Sequence, residues 1–581
     1  MPSVLGDFLQ RKTDMPAQPE LTAIERDKLT INPDFDFREL AKKSLEEIPA
    51  NHLAFFKWTG IYQQLQKGFF MMRIRIPGGL LKAPQVRRIA DLAEQYAQGQ
   101  LCLTTRQTFQ LHWLRLGDLY KVLESLKEVG LDTKNACGDV TRNVVTCPLQ
   151  GGCPLEVKNV RTMIETIAND PELKDRQRNL PRKHKISVAG CGRACGQTLM
   201  NCQGWYPVSR KSSRGVEEIG WRHHAGGGLG ARPYMGKTIF EWVPEDLVLE
   251  VTRATTEVFR RLGNRRMRGL ARLKLVVDQL GAAGFADKVL EVLRERNIQG
   301  LERLEKATVS AMIGASFLDG QAVIAQRQPG LNTVRVMILR GEMTAVQARR
   351  FSGWAEKYGD GTVMLTARQN IQLCNVPTAN VDALLAEIHQ AGFNTEGHER
   401  LPDMVACVGT TMCNLAVSDT PNAYRRLYAE LAADKKLWEQ VGTLRMHMNG
   451  CPNSCAQHWM ADIGLRGMRK AMATGSEEGF SVCLGGGLDA AGHIAQPLCD
   501  VTSSELVSTV RKILEIYLAQ RASPQEKFGE YARRVGNARY AELLGIPQTQ
   551  KGPANLRNLQ LQPVFEQAVL ESGAVDTKQQ N

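Results

Sequence analysis

Apolar and polar positions alternate over Phe69-Phe70-Met71-Met72-Arg73-Ile74-Arg75-Ile76, and Pro77-Gly78-Gly79 then halts the run, which predicts a strand closed by a turn. Arg73 and Arg75 fall on the face opposite the apolar positions, a face expected to meet solvent. Residues 84–98 carry a helical period, 100–112 return to strand alternation, and 117–129 are helical up to Gly130. The same order of elements then recurs. Gln85, Arg87 and Arg88 lie 262 positions before Gln347, Arg349 and Arg350, and Thr104, Arg106, Gln107 and Gln110 lie 262 before Thr366, Arg368, Gln369 and Gln372. Further on, Gly226-Gly227-Gly228-Leu229 matches Gly485-Gly486-Gly487-Leu488. The pattern predicts two copies of a mixed α+β unit paired about a pseudo-twofold axis, with room for a large ligand at the shared interface.

A chain of 581 residues exceeds what one core supports, in keeping with that duplication. With 43% hydrophobic and 23% charged residues it has an ordinary soluble composition, and no apolar run approaches the ~20 residues of a membrane span. The N-terminal stretch is too polar for a secretory signal, so a cytoplasmic protein is expected. In a reducing compartment its 14 cysteines read as metal ligands or catalytic thiols rather than disulfides. The net charge of +13 suggests a docking face for an acidic partner. No basic arm or aromatic-interleaved motif points to nucleic acid.

Eight of the cysteines form a repeated signature. Cys147-x5-Cys153 precedes Cys191-x3-Cys195, and each of the four lies 260 positions before its counterpart in Cys407-x5-Cys413 and Cys451-x3-Cys455. Converging thiolates suit iron–sulfur clusters or zinc; zinc sites usually pair cysteines two to four apart, so the x5 spacing favours iron–sulfur. Cys102, Cys137, Cys202, Cys374, Cys483 and Cys499 lack such partners and read as small buried hydrophobes. Lys183 and Lys185 alternate on one strand face that leads into Cys191, whereas His184 points away. With Arg73 and Arg142 they would form a cationic pocket for a small oxyanion, in which desolvated lysines can deliver protons. The glycine runs read as turns or close backbone approach. There is no flavin or NAD(P)H fingerprint, so electrons are expected from another protein.

Taken together, these motifs resemble the siroheme-dependent sulfite and nitrite reductases over nearly the whole chain. The resemblance rests on Arg73-x-Arg75-x-Pro77-Gly78-Gly79, Thr104-Thr105-Arg106-Gln107-Thr108-Phe109-Gln110-x-His112, Gly138-Asp139-Val140-Thr141-Arg142-Asn143, Leu180-Pro181-Arg182-Lys183-x-Lys185, the Cys407 pair and Asn449-Gly450-Cys451-Pro452-Asn453-Ser454-Cys455. It implies ferredoxin-like half-domains at 61–135 and 323–398, siroheme/4Fe–4S domains at 136–322 and 399–525, and extensions at 1–60 and 526–581, the last with a frayed end. It further implies a 4Fe–4S cluster on Cys407, Cys413, Cys451 and Cys455, with Cys455 bridging to the siroheme iron. Thr104, Arg106, Thr108, Gln110, His112 and Arg182 would contact siroheme carboxylates, with Asn453 nearby, and Arg73, Arg142, Lys183 and Lys185 would bind the substrate anion. The reaction implied is the six-electron reduction of sulfite to sulfide or nitrite to ammonia, with an acidic donor such as ferredoxin, in a monomer or small homo-oligomer. Plant-type nitrite reductases usually carry Asn in place of Lys185, which favours sulfite here. A non-catalytic iron–sulfur electron carrier is the rival of another class, and it leaves the cationic motifs without a purpose.

Two departures from the family pattern stand out. Cys102 occupies a place where some relatives have a siroheme-binding arginine. Typical single-chain relatives have lost the first-half cysteines, whereas Cys147, Cys153, Cys191 and Cys195 all persist here and imply a second 4Fe–4S cluster. In the mirrored site Pro402, Thr443 and Arg445 replace Arg142, Lys183 and Lys185, so one catalytic siroheme is expected, on the second half's cluster.

Overall fold

The computed structural model describes residues 20–303, 309–310, 313–314, 320–488 and 492–547. At its centre lie two five-stranded antiparallel sheets. One runs Ile61–Gln63, Phe69–Arg73, Phe109–Arg115, Gln100–Leu103 and Glu342–Thr344; the other runs Val323–Ala325, Leu331–Val336, Ile371–Pro377, Thr362–Leu365 and Leu80–Lys82. Each sheet takes its edge strand from the other half, with Glu342 opposite Cys102 and Thr362 opposite Lys82. The crossing depends on Gly79, which has φ 74°, and a Cβ there would lie 2.7 Å from both Gln107 and the Leu365 carbonyl. Helices Ala83–Tyr96 and Ala345–Tyr358 carry reciprocal ion pairs, Arg87 to Glu356 and Arg349 to Asp91 and Glu94. Residues of both halves share one core, including Val86, Ile89, Phe109, Phe351, Leu365 and Ile371. Burying each such side chain contributes about 1.5–3 kcal/mol.

Three local expectations need correction. Arg75 does not face solvent; it is buried, with its guanidinium bound to both Asp132 oxygens and to Asn169. The 100–112 strand is two strands, because Thr104–Thr108 turn back on themselves, with Gln107 at φ 56°. This turn presents Arg106 to the site described below. Finally, the described part of the expected C-terminal extension, residues 526–547, is packed onto the body. Helices Phe528–Val535 and Asn537–Leu544 bury Phe528, Tyr531 and Tyr540 in the second cysteine-bearing domain's core. Their polar residues lie outward, which makes the segment look peripheral in sequence. The expected N-terminal start and the frayed end beyond 547 lie outside the described residues.

Each cysteine-bearing domain is a sheet backed by helices. In the first, Ile186–Val188 runs parallel to Gln203–Lys211, followed by Glu217–Ala225 and Lys237–Val243. In the second, Met446–Asn449 runs parallel to Ile463–Met472, followed by Gly475–Leu484 and Gln496–Thr502. Each short parallel strand delivers the chain into an x3 cysteine loop. No described helix is long and apolar enough to cross a membrane.

Candidate functional site

The second-half cysteines flank helix Gly409–Met412, Cys407 before it and Cys413 at its C-terminal end, and lie in the loop after Met446–Asn449. Cys451 is buried, Cys407 and Cys413 are half-buried, and Cys455 is exposed. Cys451 and Cys413 are both close enough to Cys455 to interact electrostatically, and so is Cys407. Burial pushes the Cys407 thiol up to about 11, although it accepts a hydrogen bond from the Gly450 amide at 3.2 Å. Burial likewise raises the Cys413 and Cys451 thiols, whereas bound iron would hold the ligating sulfurs as thiolates. The chain must pass tightly here, since a Cβ on Gly450 would lie 2.7 Å from the Ser418 carbonyl. Asn453 is turned to the cluster side, where its amide and side chain bond to the Cys451 sulfur. Cys455 is fixed from the first half, its carbonyl accepting a hydrogen bond from the Thr105 hydroxyl at 2.7 Å.

Facing Cys455 is a basic pocket built entirely from the first half. Lys183, which senses both Cys455 and Arg142, is lowered to about 7 by desolvation and by neighbouring Arg272. Lys185 is lowered well below its ordinary value by desolvation and by Arg106, Lys183 and Arg272. Arg106, on the Thr104–Thr108 turn, drops to about 9 for the same two reasons, burial and neighbouring guanidinium groups. Its head is aimed by Asn201 at 2.8 Å and by the Asn143 carbonyl. Arg142 donates to the Gly138 carbonyl, and Arg73 donates to the Cys137 sulfur at 3.1 Å. Among described residues, none of Arg73, Arg106, Arg142, Lys183, Lys185 and Arg272 forms an ion pair with a carboxylate. The Nε atoms of Arg73, Arg106 and Arg272 are buried without a partner. Unpaired buried cations are costly, so the pocket is shaped for an anionic guest, and the several carboxylates of siroheme fit that requirement.

The remaining predicted residues divide. Gln110 sits opposite Arg73 in the sheet. Thr104 and Thr108 bond each other at 2.6 Å, and Thr108 is fully buried, so it shapes the turn. His112 is buried against Gln64 and is lowered to about 4 by desolvation and Arg73. Arg182 pairs with Asp139, which also holds Lys28 and Arg268. Cys102 is a buried strand residue, its thiol pushed up to about 11. Cys137 and Cys202 are buried, as expected, but they are not inert filler, since they accept hydrogen bonds from Arg73 and Arg272. Sequence reasoning missed Arg272, Asn201 and Tyr62, whose phenol lies near Cys137, Arg142 and Arg73. Arg272 had one available signal, since Ala271-Arg272 recurs as Ala532-Arg533 at an offset of 261.

In the first half, Cys147, Cys153 and Cys191 are buried and Cys195 is half-buried. Cys147 is hydrogen-bonded to Cys195, and Cys153 is near both Cys191 and Cys195. Among the described residues no three His, Cys, Asp or Glu side chains close tightly enough around a point to hold a lone metal ion.

A duplicated α+β chain whose paired cysteine loop opens onto a carboxylate-free basic pocket defines an oxidoreductase of the siroheme and iron–sulfur class. The nitrite/sulfite reductase ferredoxin-like half domain matches residues 62–129 and 324–391, and the nitrite and sulphite reductase 4Fe–4S domain matches 137–297 and 397–551. The chain belongs to the nitrite and sulphite reductase family, and membership implies a siroheme and a 4Fe–4S cluster. It is 31% identical to the assimilatory ferredoxin-dependent nitrite reductase of Haloferax mediterranei, covering 87% of this chain and 90% of that one. It is 29% identical to a sulfite reductase [ferredoxin] of Mycobacterium tuberculosis, covering 89% and 95%. The structure of the Mycobacterium tuberculosis NirA protein superposes with a TM-score of 0.79 at 28% identity, over 90% of this chain and 98% of that one.

Proposed function

We propose that this protein reduces sulfite to sulfide, with nitrite to ammonia as a second reaction of the same site. The observation that carries the choice is Lys185 standing beside Lys183 in a pocket with no paired carboxylate. Two ammonium groups suit the more highly charged sulfite, and a pocket of preorganised cations stabilises charge that develops as oxygen leaves. Cys407, Cys413, Cys451 and Cys455 would hold a 4Fe–4S cluster, with Cys455 shared with siroheme. When bound, siroheme supplies the iron that binds the anion and receives electrons. Arg106, Thr104 and Gln110 would face its carboxylates, with Thr108 and His112 supporting them from behind and Arg182 and Asn453 at the edge. Arg73, Arg142, Lys183 and Lys185 would grip the oxyanion, and Lys183, poised near neutrality, would pass it protons. Cys147, Cys153, Cys191 and Cys195 would hold a second 4Fe–4S cluster. The basic chain would take its six electrons singly from an acidic donor such as ferredoxin, in the cytoplasm.

Steady-state assays with reduced ferredoxin test the substrate directly. The expected result is a higher kcat/KM for sulfite than for nitrite, with Lys185→Asn shifting the ratio toward nitrite. A wild-type preference for nitrite would overturn the assignment to sulfite while leaving the site in place.

A further inference from the structure

The duplication builds a second cradle. Counting from Arg73 and Arg106 by 262, from Lys185 by 260 and from Arg272 by 261 gives Arg335, Arg368, Arg445 and Arg533. Arg335, Arg368 and Arg445 line a cavity together with Cys195. The Cys195 loop therefore faces the second half's arginines as the Cys455 loop faces the first half's basic pocket.

The two cradles differ in how their charge is compensated. At the positions of Asp139, Asn143 and Cys202 the second half carries Glu399, Asp403 and Asp462. Glu399 accepts from Arg335 at 3.2 Å and from Arg445 at 3.1 Å, and Asp403 accepts from Arg368 at 2.7 Å. Asp462 accepts from the Arg445 amide at 2.7 Å. Asp139, the counterpart of Glu399, is instead engaged by Lys28, Arg182 and Arg268. Although burial opposes ionisation, Arg368, Arg445 and Arg335 hold Glu399 well below the usual carboxylate range. The space left is about 50 Å³, room for a few waters. A polycarboxylate macrocycle entering here would find Arg335, Arg368 and Arg445 already paired and would set its own carboxylates against Glu399 and Asp403, with little left to offset their desolvation.

Building on the second cluster proposed above, we propose that the Cys147, Cys153, Cys191 and Cys195 site works without a tetrapyrrole, as a solitary 4Fe–4S site whose cradle is closed by Glu399, Asp403 and Asp462. The two cysteine loops meet near the pseudo-twofold axis. Gln197 and Gln457, each two residues past Cys195 and Cys455, exchange hydrogen bonds at 3.2 Å. A solitary cluster there is suited to holding one electron from a low-potential iron–sulfur donor.

The test is a cofactor count on full-length protein purified anaerobically from a siroheme-replete host, with electron paramagnetic resonance of the reduced protein. The expected result is one siroheme per chain, with about nine irons and eight labile sulfides. Two sirohemes per chain would overturn the closed cradle. One siroheme with about four sulfides would instead overturn the second cluster. Cys195→Ser should keep the siroheme and lose an uncoupled cluster signal; Cys455→Ser should do the reverse. Siroheme retained in Cys455→Ser but lost in Cys195→Ser would place it in the second cradle and overturn the proposal, and if Cys455→Ser does not fold, the wild-type count and Cys195→Ser decide.

Discussion

The cradles opposite Cys455 and Cys195 descend from one plan and reach opposite electrostatic ends. The first gathers Arg73, Arg106, Arg142, Lys183, Lys185 and Arg272 with no carboxylate paired to them, and its lysines are held below their ordinary values by burial and by one another. The second keeps arginines but answers them with Glu399 and Asp403. Folding alone would favour the second arrangement, because it leaves fewer buried charges unpaired. The first is tolerable only if a ligand completes it. On the proposed reading, uncompensated charge marks the working site, and internal compensation marks its copy.

The largest expected effect separates the two directly. Lys185→Met should lower turnover about 10²–10³-fold, the usual result of removing one group that stabilises an oxyanion. Its counterpart Arg445→Met should leave turnover near wild type, and an equal loss in both variants would break the comparison. Next in size is Asp403→Ala, which takes the 2.7 Å carboxylate partner from buried Arg368 and leaves it only Glu399 at 3.7 Å. It should cost about 3–5 kcal/mol of stability, read from denaturant midpoints, while the KM for sulfite stays unchanged. A pH effect comes third. Lys183 titrates near 7 in the ligand-free fold and near its ordinary, much higher value when unfolded, so above pH 7 the unfolded chain binds more protons. The siroheme-free protein should therefore gain thermal stability as pH rises from 7 toward 8, with Lys183, Lys185 and Lys274 all contributing in that direction. The siroheme-loaded protein should show less of this gain, because the cofactor's carboxylates restore the protonated lysines. The smallest expected effect is that of Gln197→Leu, which should cost roughly 1–3 kcal/mol by leaving the Gln457 amide only the Thr105 carbonyl at 3.5 Å, and leave the siroheme content at one per chain.

Much of this was legible in the chain. The repeat offsets, the x5 and x3 cysteine spacings and the alternation of Lys183 with Lys185 are properties of order along the sequence, and they suffice for the duplicated fold and the family. What was not legible depended on contacts between distant residues. Arg75 looks like a solvent arginine until Asp132, 57 residues away, is folded against it. Cys137 and Cys202 look like filler until Arg73 and Arg272 reach them. Helices Phe528–Val535 and Asn537–Leu544 look peripheral because one face is polar, and only packing shows that Tyr531 and Tyr540 close the second core.

By itself the sequence determined the duplication, the two four-cysteine sets and the cations available to each half, because these follow from spacing and periodicity. Only the tertiary structure decided which cations stay unpaired. The exchange of edge strands across Gly79 and Gly341 brings the two halves together. The turns of the chain then place Asp139 among Lys28, Arg182 and Arg268 while its counterpart Glu399 joins Arg335 and Arg445. The effect of a charge depends on what lies within a few ångströms in a low-dielectric interior, and that neighbourhood is fixed by the fold.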